Sequence, residues 1–165
     1  MANHNFINRL NRVNNVVSRL PNRAAVVAVN FSKERFVRKN WVDNSREAWP
    51  KRRAGRKGRG SLMVRTGRLK RSIRKLQVTN NHILIGTDVP YAQLHNEGGT
   101  INKTVTVREH QRRIARGRKG GRATVKSHKR KMDLTVPKRQ FIGESAILSR
   151  RIERMIEKEL KNALR

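Results

Sequence analysis

The chain has 165 residues with 41 Lys or Arg against 11 Asp or Glu, so its formal net charge at pH 7 is +30. An apolar fraction of 35%, with two Trp, one Tyr and four Phe, is enough for one small hydrophobic core and not for two. The absence of cysteine excludes disulfides and Cys-based metal sites, and no apolar run approaches the roughly 20 residues of a membrane span. The N-terminal residues show no basic segment followed by an apolar one, so no signal peptide is expected.

The N-terminal region, residues 5–40, is predicted to be helical. Apolar residues recur at helical spacing over residues 5–19, which predicts an amphipathic helix. Pro21 ends this pattern and is expected in the first turn of a second helix, up to about Lys39. The valines between residues 26 and 29 would also suit a strand, so a strand is the alternative for this second segment.

Two segments without strong periodicity follow. Residues 41–50 contain both tryptophans and are predicted to form a loop. Residues 50–61 form a basic loop rich in Gly, Arg and Lys, which lacks the apolar side chains needed to bury itself. The wider stretch 50–76 holds twelve Lys or Arg and no acid.

Residues 75–87 are predicted to form a β-hairpin. Asn80 and Asn81 tolerate the positive φ angles that a two-residue turn requires. One register places the apolar residues on a single face, and a slip of one residue would destroy that arrangement. The expected pairs are Thr79 with His82, Val78 with Ile83, and Leu76 with Ile85.

The region after the hairpin is predicted to contain one helical turn at Pro90–Asn96, which Gly98 and Gly99 end before a new strand begins. Residues 102–133 are interpreted as a basic insertion, either a protruding arm or a long hairpin. The stretch 102–132 carries twelve Lys or Arg and one acid. Strands are expected near residues 100–107, 123–126 and 134–136.

The C-terminal part, from Gly143 onward, has the apolar stripe of an amphipathic helix, and Glu157 and Lys161 are spaced as an i,i+4 ion pair. The predicted fold class is therefore α+β: an antiparallel sheet flanked by N-terminal helices and this helix, with basic extended arms. One domain, 1–165, is expected. Its parts are residues 5–40, the loop 50–61, the hairpin and motif region 62–101, the arm 102–133, and the last strand and helix 134–165.

The clustered charge predicts a contact surface, because like charges repel unless salt or a polyanion screens them. Nucleic acid or an acidic protein face would suit it, and mobile solubilising loops are the alternative. DNA contacts would be made to phosphates and would be blind to sequence. The candidate contact residues are Lys51, Arg52, Arg53, Arg56, Lys57, Arg59, Arg108, Arg112, Arg113, Arg116, Arg118, Lys119, Arg122, Lys126, Lys129, Arg130 and Lys131.

Catalytic chemistry is not expected. His95 beside Glu97 could act as a general base, but the favoured interpretation is that His95 bonds backbone around the Gly98–Gly99 turn while Tyr91 packs under the sheet. The five histidines lack metal-ligand spacing, and the central carboxylates form no tight pair for Mg²⁺. We therefore predict no enzyme activity, no metal and no cofactor.

Two residues near the start of the C-terminal helix have structural interpretations. Arg139 could pair with an acid of a neighbouring subunit, or within the chain with Glu144 or Asp133. Phe141 is expected in the core, packing the terminal helix onto the sheet.

The order of these features resembles the tailed-phage virion-morphogenesis, or tail-completion, family. Its most specific part is Tyr-Ala-x-x-His-x-x-Gly-Gly, followed at a distance by Pro-x-Arg-x-Phe and a terminal helix. The structural motif positions are Gly67, Tyr91, His95, Gly98, Gly99, Pro137, Arg139 and Phe141. Further positions that carry the resemblance are 43–49, Thr66, Leu69, Ser72, Ile73, Gly86, Pro90, Ala92 and Gly143.

The resemblance implies a non-catalytic α+β protein of the virion, assembled in the host cytoplasm, that acts at the head–tail junction. Such proteins form rings of identical subunits, six by analogy with a tail tube or twelve by analogy with a portal. The implied partners are portal or connector proteins, tail-tube or tail-terminator proteins, and packaged double-stranded DNA, with no membrane. The alternative from composition alone is a monomeric, non-specific nucleic-acid-binding protein of ribosomal type.

Overall fold

A computed structural model describes residues 2–52, 60–114 and 121–165. The α+β fold class is confirmed, but the strands form four separate two-stranded antiparallel ladders and not one sheet. In chain order the elements are α1 Ala2–Arg38, β1 Asn40–Val42, β2 Arg46–Ala48, α2 Arg68–Ser72, β3 Arg74–Val78, β4 Ile83–Gly86, α3 Ala92–Glu97, β5 Gly99–Val107, β6 His110–Ile114, β7 Gly121–Val125, β8 His128–Val136 and α4 Ala146–Leu164.

Helix α1 is continuous through Pro21 over 37 residues, so the expectation of two N-terminal helices is wrong, as is the strand alternative. Proline has no N–H to donate to the preceding turn, but its fixed φ is compatible with a helix, and tertiary packing can offset the lost bond. That packing lies in the second half of α1, where Ala25, Phe31 and Phe36 are buried. The first half is exposed, with Phe6 62% accessible.

Helix α4 packs along the second half of α1. Two ion pairs join the helices, from Arg23 to Glu159 at 2.6 Å and from Arg151 to Glu34 at 2.7 Å. The Arg151 guanidinium also lies 5.2 Å from the centre of the Phe31 ring. Because these groups are partly exposed, apolar packing and not the ion pairs supplies most of the stability of this contact.

Residues 41–50 are not the predicted loop, since β1 and β2 pair as a short hairpin. The hairpin fixes the start of α4: the Ser145 hydroxyl donates to the Val42 carbonyl at 2.7 Å, and the Asp43 carboxylate accepts from the Ala146 N–H at 2.7 Å. Ser145 is also the N-cap of α4, accepting from the Leu148 N–H at 3.1 Å. These bonds satisfy helix-terminal N–H groups that otherwise have no main-chain partner.

The core is built on an aromatic cluster. The Phe36 ring lies 5.5 Å from the Trp49 ring and 5.0 Å from the Phe141 ring, measured between centroids. All three side chains are at most 5% exposed, and the Trp49 indole N–H donates to the Gln140 carbonyl at 2.8 Å. The prediction that Phe141 is a core residue is confirmed. Ile73, fully buried, belongs to the same core.

The hairpin of β3 and β4 has the predicted turn, with the Thr79 N–H donating to the His82 carbonyl at 2.8 Å. Farther from the turn the predicted register is wrong, because a bulge at Leu76 places Lys75 opposite Ile85. The physical reason lies across the strand at Gly86: a Cβ there would lie 2.7 Å from the Leu76 side chain, so the glycine leaves room for it. The predicted pairing of Leu76 with Ile85 therefore does not form, and Leu76 is 49% exposed.

The basic insertion is a long hairpin, which we call the arm (residues 99–136). β5 pairs with β8 over nine positions and β6 with β7 over five, and both ladders keep one register. The strand predicted at 134–136 is the end of the longer strand β8, and the strand predicted at 123–126 overlaps β7 in the β6–β7 ladder. Strands of this length reach about 50 Å at roughly 3.4 Å per residue.

A short break divides the arm at Arg108–Glu109 and, across from it, at Lys126–Ser127. The two strands have similar sequences here, with Thr-Val-Arg-Glu-His at residues 106–110 and Thr-Val-Lys-Ser-His at residues 124–128. Each histidine contacts through Nδ1 the carbonyl two residues before it, at 3.0 Å for His110 and 2.9 Å for His128. The break is thus built twice from the same short pattern, once on each strand.

Phe141→Ala is expected to lower the free energy of unfolding by about 3–5 kcal/mol, because it leaves a cavity between Phe36 and Trp49. Urea denaturation followed by tryptophan fluorescence measures the change. Phe6→Ala is the matched control and is expected to change stability by about 0.5 kcal/mol or less, since Phe6 is exposed. Equal losses in the two variants would show that the aromatic cluster is not the core.

Candidate functional site

The motif residues meet where the segment between the arm and α4, residues 137–143, passes α3. The Arg139 N–H donates to the His95 carbonyl at 2.8 Å. The Asn96 side-chain oxygen then accepts from the N–H groups of both Phe141 and Ile142, at 2.9 and 3.0 Å. One short helix therefore holds three main-chain N–H groups of this segment. We call this set of bonds the α3 clamp.

Gly98 allows this close approach. It ends α3 with a φ of 78°, and its N–H donates to the Leu94 carbonyl at 3.0 Å. A Cβ at this position would lie 2.8 Å from the Lys138 main-chain nitrogen, so both the backbone angle and the space require glycine. Gly99 begins β5, which confirms the prediction that the glycine pair ends the helix and starts a strand.

Arg139 is buried and bonds to main-chain carbonyls. Its Nε donates to the Pro50 carbonyl at 3.0 Å and its Nη2 to the Lys51 carbonyl at 3.4 Å. The alternative of pairing within the chain with Glu144 or Asp133 is wrong, because the guanidinium bonds to these carbonyls instead. Burial, and then the nearby Arg52 charge, lower the pKa of Arg139 below its usual value.

His95 does not make the side-chain hydrogen bond that the sequence suggested. Its Nδ1 is buried and has no hydrogen-bond partner in the part of the chain that the structure describes. The Tyr91 ring meets the imidazole edge-on at 5.9 Å, and Tyr91 is 41% exposed, so it does not pack under a sheet. Burial, and then the Arg139 charge, lower the pKa of His95. Glu97 bonds to the Gln93 amide at 3.2 Å and does not activate the imidazole.

These residues border a cavity of about 290 Å³, which we call the arginine pocket. Four arginines from three parts of the chain line it, together with apolar side chains and the Tyr91–His95 pair. Gly67, at a φ of 75°, brings the start of α2 to its edge. The lining residues are Arg52, Leu62, Met63, Val64, Arg65, Thr66, Gly67, Arg68, Leu69, Tyr91, His95 and Arg139. Apart from the motif residues that border it, no sequence pattern predicted this pocket.

The predicted contact residues fall into three groups. Lys51 and Arg52 lie beside the arginine pocket, and Arg52 donates to the carbonyls of Gly60 and Ser61 at 3.1 and 2.8 Å. Seven others lie outside the described residues: Arg53, Arg56, Lys57, Arg59, Arg116, Arg118 and Lys119. The rest are exposed on the arm: Arg108, Arg112, Arg113, Arg122, Lys126, Lys129, Arg130 and Lys131.

The arm places like charges close together. Arg113 and Arg122 are direct cross-strand partners in the β6–β7 ladder. Like charges in that position destabilise a ladder. No acid lies in the described part of β6 or β7 to compensate them. An anionic partner would remove this cost.

Within the described ranges no three His, Asp or Glu residues are grouped so as to hold a metal ion. No helix in those ranges is both long and apolar enough to cross a membrane. The part of the chain that the structure describes carries a cationic surface on a small α+β body.

A sequence model of the phage virion morphogenesis family matches residues 39–161, and the chain belongs to this family. The match includes the arginine pocket, the α3 clamp and the arm. The protein therefore serves the morphogenesis of a tailed-phage virion. No curated protein and no solved structure shows significant similarity to the chain.

Asn96→Ala is expected to cost about 2 kcal/mol of stability, because the N–H groups of Phe141 and Ile142 lose their acceptor. Asn96→Asp keeps an oxygen in the same position and should lose less than half as much. Chemical denaturation of the three proteins measures this. A loss in Asn96→Asp as large as in Asn96→Ala would mean that the acceptor role is not what Asn96 contributes.

The stability of the protein should fall as pH drops below about 6.5, the ordinary pKa of histidine. Because folding lowers the pKa of His95, the unfolded chain takes up a proton at a higher pH than the folded protein does. The stability that neutral His95 contributes is therefore complete only above about pH 6.5. Thermal melts of wild type and His95→Gln at about pH 7.5 and pH 5 test this. The wild type should lose more stability than the variant, and equal losses would contradict the lowered pKa.

Proposed function

We propose that this protein completes the head–tail junction of a tailed phage, as one subunit of a ring of identical copies. Family membership supplies the virion role. The observation that carries the finer proposal is the arm: a hairpin of about 50 Å in a single register, with exposed cations along both strands. Such an arm can reach well beyond the body that bears it.

The proposed partners of the arm are packaged DNA and the acidic faces of neighbouring particle proteins. Arg113 opposite Arg122 favours an anionic partner, as described above. Contacts of this kind with DNA are to phosphates and do not read sequence, which suits a protein that the whole genome passes. In a ring around the genome, portal or connector proteins and tail-tube or tail-terminator proteins would lie above and below.

The exposed half of α1 supports contact with other subunits or partner proteins. Phe6, Ile7, Leu10 and Val17 are each between 48% and 62% exposed. Monomeric proteins rarely leave a continuous apolar stripe in water, and such stripes often mark protein contacts. The helix would hold these apolar residues away from the body of the protein.

The second candidate is a monomeric, non-specific nucleic-acid-binding protein, which the net charge of +30 favours. It predicts tight polynucleotide binding by the isolated subunit, with an affinity that falls steeply as salt rises. The head–tail role predicts weak binding by the isolated subunit, with function only in the assembled particle. A filter-binding or anisotropy series across salt concentrations separates the two.

Deleting the gene in the phage that encodes it tests the proposal directly. Electron microscopy of the lysate should show filled heads and separate tails that remain unjoined, and supplying the protein in trans should restore joining. Normal infectious particles without the protein would overturn the proposal.

Replacing six arm cations with Gln should block joining without unfolding the body, because all six are exposed on the arm. The six are Arg108, Arg112, Arg113, Arg122, Lys129 and Lys131. When the variant is supplied in trans to the deletion phage, we expect the number of infectious particles to fall at least about tenfold. This is the effect expected from losing a few charged contacts.

The matched control removes six exposed cations from the body, and it should complement the deletion. Its positions are Arg46, Arg74, Arg150, Arg154, Lys158 and Arg165. Circular dichroism should show both variants folded. An unfolded arm variant, or equal complementation by the two variants, would contradict the role given to the arm.

A further inference from the structure

The arginine pocket concentrates positive charge among the residues that the structure describes. Arg52, Arg65, Arg68 and Arg139 border it, and none of the lining residues is an acid. Four guanidinium groups around one cavity repel one another unless an anion enters it.

Two of these arginines are available to a ligand. The side chains of Arg65 and Arg68 are exposed and make no hydrogen bond or ion pair with any described residue. Arg139, by contrast, is buried and partly engaged with the carbonyls of Pro50 and Lys51. The pocket is thus bordered by two exposed cations and one buried cation. A guanidinium binds a carboxylate with two parallel hydrogen bonds when the geometry allows.

The inner wall also offers a polar atom without a partner. His95 Nδ1 is buried and lacks a hydrogen-bond partner among the described residues. A buried polar atom normally has a partner, and one left without it costs stability. A ligand that bridges the imidazole and the neighbouring Arg139 would supply that partner.

The remaining wall is apolar. Leu62, Met63 and Leu69 line it, and Leu69 is 5% exposed. Met63 has a φ of 61°, an uncommon backbone angle for a residue with a long side chain. The tight turn that contains it is closed by the Val64 N–H donating to the Ser61 carbonyl at 3.0 Å. The pocket therefore suits a group with an apolar stem and an anionic end.

We propose that the arginine pocket receives the carboxylate of a glutamate, flanked by apolar residues, from a partner protein of the particle. The shape favours a protein ligand over DNA: the cavity is concave and half apolar, whereas duplex phosphates lie on the outside of a rod and are contacted by projecting cations. The arm has that projecting form and the pocket does not. The carboxylate would bridge the His95 imidazole and Arg139, and Arg65 and Arg68 would pair with it from the exposed side. Leu62, Met63 and Leu69 would contact the flanking apolar side chains.

This inference rests on the proposed function only in placing the partner within the particle. Binding of a peptide to the purified protein does not depend on where the protein sits in a virion. Failure of the binding test would therefore leave the head–tail role intact, and failure of the deletion test would leave the pocket intact.

The test titrates isotope-labelled protein with the peptide acetyl-Leu-Glu-Leu-amide and follows Tyr91 and the His95 imidazole by NMR. We expect saturable shifts at both residues and a rise in the pKa of His95, because the bound carboxylate stabilises the imidazolium against the surrounding arginines. The peptide acetyl-Leu-Gln-Leu-amide should bind at least about tenfold more weakly, since it lacks the charge.

The double variant Arg65→Gln/Arg68→Gln should weaken binding of the glutamate peptide by about tenfold or more. The matched control is Arg150→Gln/Arg154→Gln, which removes the same charge from α4 and should bind like wild type. Equal binding of the two peptides, or equal loss in the two double variants, would overturn the proposal. A short DNA duplex that shifts Tyr91 and His95 where the glutamate peptide does not would also overturn it in favour of a phosphate site.

Discussion

The α3 clamp is the constraint on which the described structure depends. Three parts of the fold meet there: the arm ends at Val136, Phe141 enters the aromatic core, and α4 begins a few residues later. Asn96 holds two N–H groups of this segment with a single oxygen, and Gly98 permits the approach. Because the segment is anchored on both sides, the arm root, the core and the arginine pocket occupy fixed positions relative to one another.

The two cationic surfaces differ in a way that suits different partners. The arm is a projecting ladder whose cations are exposed, including the facing pair Arg113 and Arg122, so it can follow a polyanion without regard to sequence. The arginine pocket is concave, half apolar and built around the buried Arg139, so it can select one anionic group by shape. Under the proposed function both surfaces are used: the arm would tolerate any genome sequence, and the pocket would recognise a particular neighbour.

The sequence predicted features that depend on local chemistry and missed those that depend on distant neighbours. The Asn80–Asn81 turn, the Gly98–Gly99 break and the core position of Phe141 follow from residue type and spacing, and the structure confirms them. The bulge at Leu76 depends on the absence of a side chain at Gly86 on the opposite strand, and the hydrophobic pattern of the sequence carries no signal for this contact. The carbonyl partners of Arg139 lie almost ninety positions earlier in the chain, and the continuity of α1 through Pro21 depends on packing, so neither had a local signal. The repeated Thr-Val-x-x-His pattern is visible in the sequence and would have predicted the register of the arm.

Cryo-electron microscopy of intact particles tests the central claim most directly, because it shows where the protein sits and what its surfaces touch. We expect a closed ring of copies between head and tail, with the arms directed at DNA or at neighbouring subunits. The absence of the protein from purified particles, or a position away from the junction, would contradict this placement.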